Sequence, residues 1–123
     1  MNIDRIRDYC LSKKGTTEEF PFDEDTLVFK VLGKMFVLAP LDRWEIGEAS
    51  LNLKADPEYS QELRLEYTSI EPGFHMNKLH WNTIYLHLGE LETNFVFDLI
   101  DHSYEMVIKG MSKKLRDSLI NYK

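Results

Sequence analysis

The segment from Thr26 to Ala39 reads Thr-Leu-Val-Phe-Lys-Val-Leu-Gly-Lys-Met-Phe-Val-Leu-Ala. Its first part, Thr26 to Val31, is rich in β-branched and aromatic residues, which favour strands. Leu32-Gly33 is typical of a tight turn, and Lys34 to Ala39 is predicted to form the returning strand, which Pro40 ends. The segment therefore predicts an antiparallel hairpin.

Helices and further strands are predicted on both sides of this hairpin. The predicted helices span residues 3–13, 57–67 and 93–109, with Asp56 followed by Pro57 as the start of the second and Thr93 as the N-cap of the third. A short helix with Ser112 as its N-cap follows. The further strands span residues 49–54, 70–76 and 81–88, whereas residues 16–25 are predicted to be a loop. The resulting order, α-β-β-β-α-β-β-α plus a short C-terminal helix, predicts a two-layer α+β fold with an antiparallel sheet. With 123 residues, one domain spanning 1–123 is expected.

The charge of the chain is uneven. The net charge is −6, which argues against a general nucleic-acid binder, since such proteins carry an electropositive surface. From Lys109 to Lys123, however, there are five basic residues and one acidic residue, a net +4, so the preceding 108 residues carry −10. Any surface that binds an anion must therefore be local.

The sequence indicates a protein of the cytoplasm. No apolar run approaches the roughly 18 residues that a membrane-spanning helix needs, and the charged N-terminus lacks a signal-peptide core. The single cysteine, Cys10, lies on the apolar side of the first helix. It is therefore expected to be a buried packing residue and not a nucleophile.

The segment from Pro72 to Thr83 concentrates polar and aromatic side chains. Two of the four histidines, His75 and His80, lie in it, and His87 follows the same predicted strand. Three histidines so close together could form a zinc site. The chain lacks paired cysteines and an HExxH motif, so these histidines are expected to make hydrogen bonds at turns and strand ends, and no metal is predicted.

No reaction is predicted from the sequence. Nucleophilic catalysis requires a serine or cysteine beside a base, and the chain has no GxSxG motif. Phosphate-binding loops of the GxxxxGK[ST] or GxGxxG type are also missing. We therefore expect a protein that is not an enzyme, with no catalytic residues and no cofactor.

Asparagine and lysine side chains mark the most plausible binding surface. Asn52 and Lys54 project from one face of a predicted strand, Asn77 and Lys78 occupy a turn, and Trp81 and Asn82 follow it. Amides and ammonium groups together could hold a phosphate backbone. Asparagine is also favoured in turns for local reasons, and a tryptophan is often a core residue. Both interpretations stay open at this stage.

The chain resembles the MmcQ/YjbR-like family of small bacterial proteins. The most specific match is His75-Met76-Asn77-Lys78 followed by His80-Trp81-Asn82-Thr83, called here the HMNKxHWNT motif (residues 75–83). The resemblance continues in other segments along nearly the whole chain: Phe20-Pro21-Phe22, Asp25 to Lys30, Leu51 to Lys54 with Asp56-Pro57, and Asp101-His102-Ser103-Tyr104. It implies the same order of helices and strands, and DNA binding through a "double wing" of two β-hairpins.

The resemblance leads to a first hypothesis and two alternatives. The first is a DNA-binding domain whose contacts are weak and salt-sensitive. The candidate residues for binding a nucleic acid or another anion are Lys30, Lys34, Asn52, Lys54, His75, Asn77, Lys78, His80, Trp81 and Asn82. The first alternative is binding of a small anionic ligand or a protein partner at the Asn52, Lys54 and His75–Asn82 surface. In the second, the motif is structural, and replacing Asn77 would destabilise the fold without affecting binding.

Overall fold

The computed structural model describes residues 1–73 and 76–121, and its central element is the predicted hairpin. Strand β2 (Thr26–Val31) pairs with strand β3 (Lys34–Pro40), and Val31 lies opposite Lys34 across a two-residue turn. Both turn residues have a positive φ, 48° at Leu32 and 83° at Gly33, as a type I′ turn requires. This turn follows the right-handed twist of the strands, and the predicted hairpin is confirmed.

Four more strands extend the hairpin into a six-stranded antiparallel sheet with the order β1-β2-β3-β4-β6-β5. These strands are β1 (Thr16–Glu19), β4 (Ser50–Lys54), β5 (Ile70–Pro72) and β6 (Trp81–Tyr85). The helices are α1 (Ile3–Leu11), α2 (Leu41–Glu45), α3 (Pro57–Glu66), α4 (Thr93–Lys109) and α5 (Lys113–Ile120), with a 3-10 helix at Leu86–Leu88. The predicted α+β class with an antiparallel sheet is confirmed.

The two faces of the sheet have different surroundings, because successive side chains of a strand point to opposite sides. Phe29, Val37 and Leu53 are neighbours in the register and share one buried core with Ile6 of α1 and Ile100 of α4. The second face carries a row formed by Val28, Leu38, Asn52 and Thr83. The helices and the sheet therefore form two layers with the main core between them.

Ser103 fixes the middle of α4 to the sheet. Its hydroxyl donates to the Phe36 carbonyl at 2.5 Å and accepts from the Lys54 amide at 2.9 Å. Val37 of β3 pairs with Leu53 of β4, so Ser103 bridges the two strands one residue beyond this pair. Because the serine is fully buried, both backbone groups would lose a partner without it.

The neighbours of Ser103 tie α4 to other elements. The His102 Nε2 accepts from the Asp56 amide at 3.1 Å, and the Tyr104 hydroxyl donates to the Lys14 carbonyl at 2.6 Å. Asp101 accepts from the Tyr9 hydroxyl at 2.6 Å. Burial, followed by this hydrogen bond, raises the pKa of Tyr9 to about 12. The segment from Asp101 to Tyr104 therefore holds α4 to the sheet, to α1 and to the residue before α3.

Two short elements differ from the prediction. Thr16–Glu19 forms strand β1 in a segment predicted to be a loop, because it pairs with β2 from Thr16 opposite Val31 to Glu19 opposite Val28. Its threonines favour a strand but its glutamates do not, so the pairing with β2 decides its structure. Leu41–Glu45 forms the short helix α2, which the mixed polar sequence did not predict.

Several predicted element boundaries are also wrong. Strand β5 ends at Pro72 and not at residue 76, and α1 ends at Leu11 and not at residue 13. Strand β6 ends at Tyr85, and the 3-10 helix takes the last residues of the predicted strand. Thr93 is the first residue of α4 and Glu92 is its N-cap. By contrast, the predicted caps of α3 and α5 are confirmed, since Asp56 accepts from Glu58 and Tyr59 amides and Ser112 accepts from the Leu115 amide.

The sheet has two ends that differ in composition. At the hairpin end, β2 turns into β3 at Leu32-Gly33, β4 finishes at Lys54, and β6 begins at Trp81. At the opposite end, a groove of about 720 Å³ is lined by residues including Trp44, Leu86 and Thr93. We call these the hairpin end and the groove end.

Candidate functional site

The candidate residues separate into three groups in the structure. The hairpin carries Lys30 and Lys34, the second face of the sheet carries Asn52, Lys54 and Trp81, and the turn before β6 carries Asn77, Lys78 and His80. Asn82 lies apart from them on the helix-facing side, and His75 lies outside the described residues. All three groups reach the hairpin end, because β4 finishes there and β6 begins there.

The hairpin presents one exposed and one paired lysine. Lys34 is exposed at the tip, and within residues 1–73 and 76–121 its ammonium makes no ion pair or hydrogen bond. The Lys30 ammonium lies 3.3 Å from a Glu19 carboxylate oxygen, in a partly exposed pair. Such surface pairs contribute at most about 1 kcal/mol, so Lys30 can exchange this partner for a phosphate.

Lys54 and Trp81 are neighbours on the second face. They lie directly opposite each other in the β4–β6 register, and both are half-buried. The Lys54 backbone amide is held by Ser103, whereas its side chain has no hydrogen bond or ion pair to another described residue. A cation beside a partly exposed aromatic ring can contact both the backbone and a base of a nucleic acid.

Asn52 lies next to this pair but is already engaged. Its side-chain oxygen accepts from the Thr83 hydroxyl at 2.6 Å across the β4–β6 pair. Asn52 and Thr83 both belong to segments that resemble the family, and this bond joins them across the sheet. Asn52 therefore stabilises the surface on which Lys54 projects, and its amide nitrogen remains the group that could face a ligand.

The turn before β6 is held together from within. The Asn77 carbonyl accepts from the Trp81 amide at 2.9 Å, and its side-chain oxygen accepts from the Leu79 amide at 3.0 Å. The Lys78 ammonium donates to the Gly73 carbonyl at 3.1 Å. Lys78 is thus partly used to close the turn, and the predicted cation at this position has a structural role as well.

Gly73 is required at the start of this turn because there is no space beside Trp81 for a larger side chain. A Cβ added there would lie 3.0 Å from both the Cβ and the carbonyl oxygen of Trp81. The Gly73 amide donates to that carbonyl at 2.8 Å. Only glycine allows the chain to approach β6 this closely.

Asn82 is not a surface residue, contrary to its selection as a contact. It is 2% exposed and faces α3, where its amide nitrogen donates to Ser60 Oγ at 3.0 Å. Its side-chain oxygen accepts from Arg64 Nε at 2.7 Å. Because Leu53 and Ile84 point to the core, the alternation along β6 places Asn82 on the same side.

Arg64 is the important residue that sequence reasoning missed. Besides Asn82, its guanidinium contacts the Lys78 carbonyl at 2.6 Å and the Trp81 carbonyl at 3.2 Å. Desolvation lowers the pKa of Arg64 from its ordinary value. The sequence pattern that could have indicated Arg64 is its i, i+4 spacing from Ser60, which places both residues on one face of α3. Arg64 therefore holds residues 78–82 of the HMNKxHWNT motif against α3.

The histidines and the cysteine do not form a reactive cluster among the described residues. His80 and His87 lie beyond opposite ends of β6, and residues 1–73 and 76–121 contain no group of three potential metal ligands. Cys10 is fully buried, as predicted, and burial raises its pKa to about 12. None of the described helices is long and apolar enough to cross a membrane.

Comparisons with known proteins identify a family. The YjbR family model matches residues 11–106. The uncharacterised protein YbdF of Escherichia coli O157:H7 is 39% identical over 95 residues, which cover 77% of this chain and 75% of YbdF. The uncharacterised protein YjbR of Escherichia coli K12 is 28% identical over 121 residues, which cover 98% of each chain.

A solved structure agrees with this match. The crystal structure of Deinococcus radiodurans protein DR2400, with the family-model domain DUF419, superposes with a TM-score of 0.85 at 38% sequence identity. The alignment covers 96% of this chain and 87% of that protein. The fold is therefore shared along nearly the full length of both proteins.

Proposed function

The chain belongs to the YjbR family, and we propose that it is a non-enzymatic DNA-binding domain that acts in the cytoplasm. In this proposal, its two wings are the β2–β3 hairpin and the β5–β6 hairpin, whose connecting turn carries Asn77 and Lys78. The wings contact the phosphate backbone of a duplex from the hairpin end.

One observation carries the proposal, namely the position of the unpaired lysines. Lys34 is exposed at the tip of the first wing, and Lys54 lies at the same end of the sheet beside Trp81. Neither ammonium is used by another described residue. Flexible lysines on protruding hairpins are suited to phosphates that are spaced along a backbone.

The number of these cations sets the expected strength of binding. Lys30, Lys34, Lys54 and Lys78 supply four potential phosphate contacts, two of which replace internal partners. Each contact contributes about −0.9 to the slope of log affinity against log salt. We therefore expect weak binding with little sequence preference and a marked dependence on salt.

The alternative ligand is a small anion or a protein partner at the Asn52, Lys54 and His75–Asn82 surface. The contacts of this surface favour it less, since Asn82 is buried against α3 and Lys78 closes its own turn. Lys54 then supplies most of the positive charge for such a ligand. A rise in melting temperature with a small phosphorylated compound, and none with DNA, would favour this alternative.

The proposal is tested by titrating a fluorescent DNA duplex at 50 and 200 mM salt with the parent protein and with Lys34→Gln and Lys54→Gln variants. Each variant should lose one phosphate contact, which reduces the affinity ratio between the two salt concentrations by a factor of about 3.5. Arg43→Gln is the matched control, because Arg43 is exposed near the groove end, where it pairs with Glu48. Lack of binding by the parent at low salt would refute the proposal.

A further inference from the structure

Helix α5 lies against the first wing. A Cβ added at Gly15 would come within 2.8 Å of Leu119 Cδ1 and 3.2 Å of Leu32 Cδ2, so both leucines converge on this glycine. Leu32 is a residue of the hairpin turn, and its amide donates to the Gly15 carbonyl at 3.0 Å. Leu115 and Leu119 are partly buried against the main core. These contacts fix α5 beside the tip of the hairpin.

The outer side of α5 is basic and exposed. Lys113, Lys114 and Arg116 are all exposed to solvent, while the leucines face the protein. The acidic residue of this helix, Asp117, lies 3.8 Å from Lys113, and both side chains are largely exposed. A pair this long and this exposed is readily broken, so a phosphate can replace Asp117 as the partner of Lys113.

Two more lysines continue this basic surface. Lys14 is exposed at the end of α1, and its carbonyl is held by the Tyr104 hydroxyl of α4 at 2.6 Å. Lys109 is exposed in the last turn of α4, a helix that begins at the groove with Thr93 and passes Ser103 on its way to the hairpin end. Both lysines therefore lie on the same side of the molecule as α5 and Lys34.

We infer that α5 is a third element of the DNA-binding face, and that Lys113, Lys114 and Arg116 bind duplex phosphates beside those held by the first wing. Lys14 directly precedes Gly15, on which α5 and the first wing converge, and Lys109 ends α4 shortly before α5 begins. The inference rests on the proposed function, because it assigns further contacts to the same partner. It also explains how a chain of net charge −6 can present a local basic surface.

A duplex fits this surface better than an anionic membrane does. A helix that binds a membrane buries an apolar side among the lipids. Two of the three apolar residues of α5, Leu115 and Leu119, already pack against the protein, and only Ile120 at its end is exposed. One exposed isoleucine is too little apolar surface to enter a membrane, whereas the cations that face outward suit an extended backbone of phosphates.

The experiment uses the full chain and three variants that are compared by thermal unfolding and by DNA titration at 50 and 200 mM salt. The first variant carries Lys113→Gln, Lys114→Gln and Arg116→Gln. The second carries Lys113→Arg, Lys114→Arg and Arg116→Lys, which keep the charge. The third carries Arg5→Gln, Arg7→Gln and Arg43→Gln, which remove the same charge away from the hairpin end. Loss of all three contacts should reduce the affinity ratio between the two salt concentrations about 40-fold, at about 3.5-fold for each contact.

Each outcome bears on the inference. A reduced salt dependence in the first variant alone, with unfolding temperatures like that of the parent, supports it. If the first variant binds as the parent does while Lys34→Gln is weakened, the inference is wrong and the proposed function stands. Equal losses in all three variants, or binding of the parent to phosphatidylserine vesicles in preference to DNA, would also overturn it. Failure of the parent to bind DNA at low salt would overturn both proposals.

Discussion

The hairpin end and the groove end of the sheet are opposite in charge. Exposed lysines, including Lys34, Lys109 and Lys114, lie at the hairpin end, whereas the exposed Glu45 lines the groove and Asp42 lies on the same short helix. The net charge of −6 therefore describes neither end. A field of this kind orients an anionic partner toward one end before contact, which makes the position of charge more informative than its sum.

The two ends also use their polar side chains differently. Near the hairpin end, Arg64, Asn82 and Lys78 hold a turn and a helix together through short hydrogen bonds. Near the groove end, Glu90 binds the segment before β5 through Ser69. If the HMNKxHWNT motif is mainly structural, its replacement should affect stability before it affects binding.

The largest effect is expected from Asn82→Ala. It leaves Ser60 and Arg64 without their shared partner, and two unsatisfied groups of this kind cost about 3 to 4 kcal/mol. Asn77→Ala is the control, because its side chain makes one exposed bond to the Leu79 amide, and it should cost less than about 1 kcal/mol. Urea unfolding measures both.

Similar costs for Asn77→Ala and Asn82→Ala would contradict this assignment. Loss of DNA binding by a stably folded Asn82→Ala protein would do so too, because the amide would then act on the ligand and not within the fold.

An intermediate effect is expected from Gly15→Ala at the hairpin end. Gly15 has φ of 72°, and its added Cβ would meet Leu119 at 2.8 Å. Strain and crowding together should cost about 2 to 3 kcal/mol. Gly47→Ala, near the groove, is the matched control, since Gly47 has φ of 81° but nothing within 4 Å of an added Cβ.

The difference between these alanine variants in urea unfolding isolates the packing of Leu119 of α5 and Leu32 of the first wing against Gly15. A cost for Gly15→Ala no greater than that for Gly47→Ala would mean that α5 does not press on Gly15. In that case, the basic surface would lose the contact that fixes its position.

The smallest effect concerns pH and the groove end. The side-chain hydrogen bond from Ser69, together with backbone donors, lowers the pKa of Glu90 below its ordinary value of 4.5. A lowered pKa in the folded state contributes stability that is present above pH 4.5 and is lost as the pH falls through the lowered value. Glu90→Gln should therefore unfold more easily at neutral pH and lose less stability on acidification.

Urea midpoints at a series of pH values from neutral to acidic would measure this difference. Glu92→Gln is the control, because Glu92 is exposed and its side chain does not cap α4. If Glu90→Gln and the parent lose stability equally below pH 4.5, the carboxylate at Ser69 contributes nothing to the acid sensitivity of the groove end.

Most of the local structure and the family follow from the sequence alone. The β-branched and aromatic residues from Thr26 to Val31, the Leu32-Gly33 turn and the Asp56-Pro57 helix start each depend on neighbouring residues alone, and each prediction is confirmed. The HMNKxHWNT motif was sufficient for the family, because specific residue strings need no geometry to be recognised.

Which polar residues face solvent depends on the packing of distant segments. Asn82 is predicted as a contact but is buried by Arg64 of a distant helix, and β1 exists because β2 offers it a partner. Likewise, the basic residues of α5 lie near the first wing because Leu119 and Leu32 both pack at Gly15. These outcomes depend on contacts between residues far apart in the chain, and no local pattern carries that information.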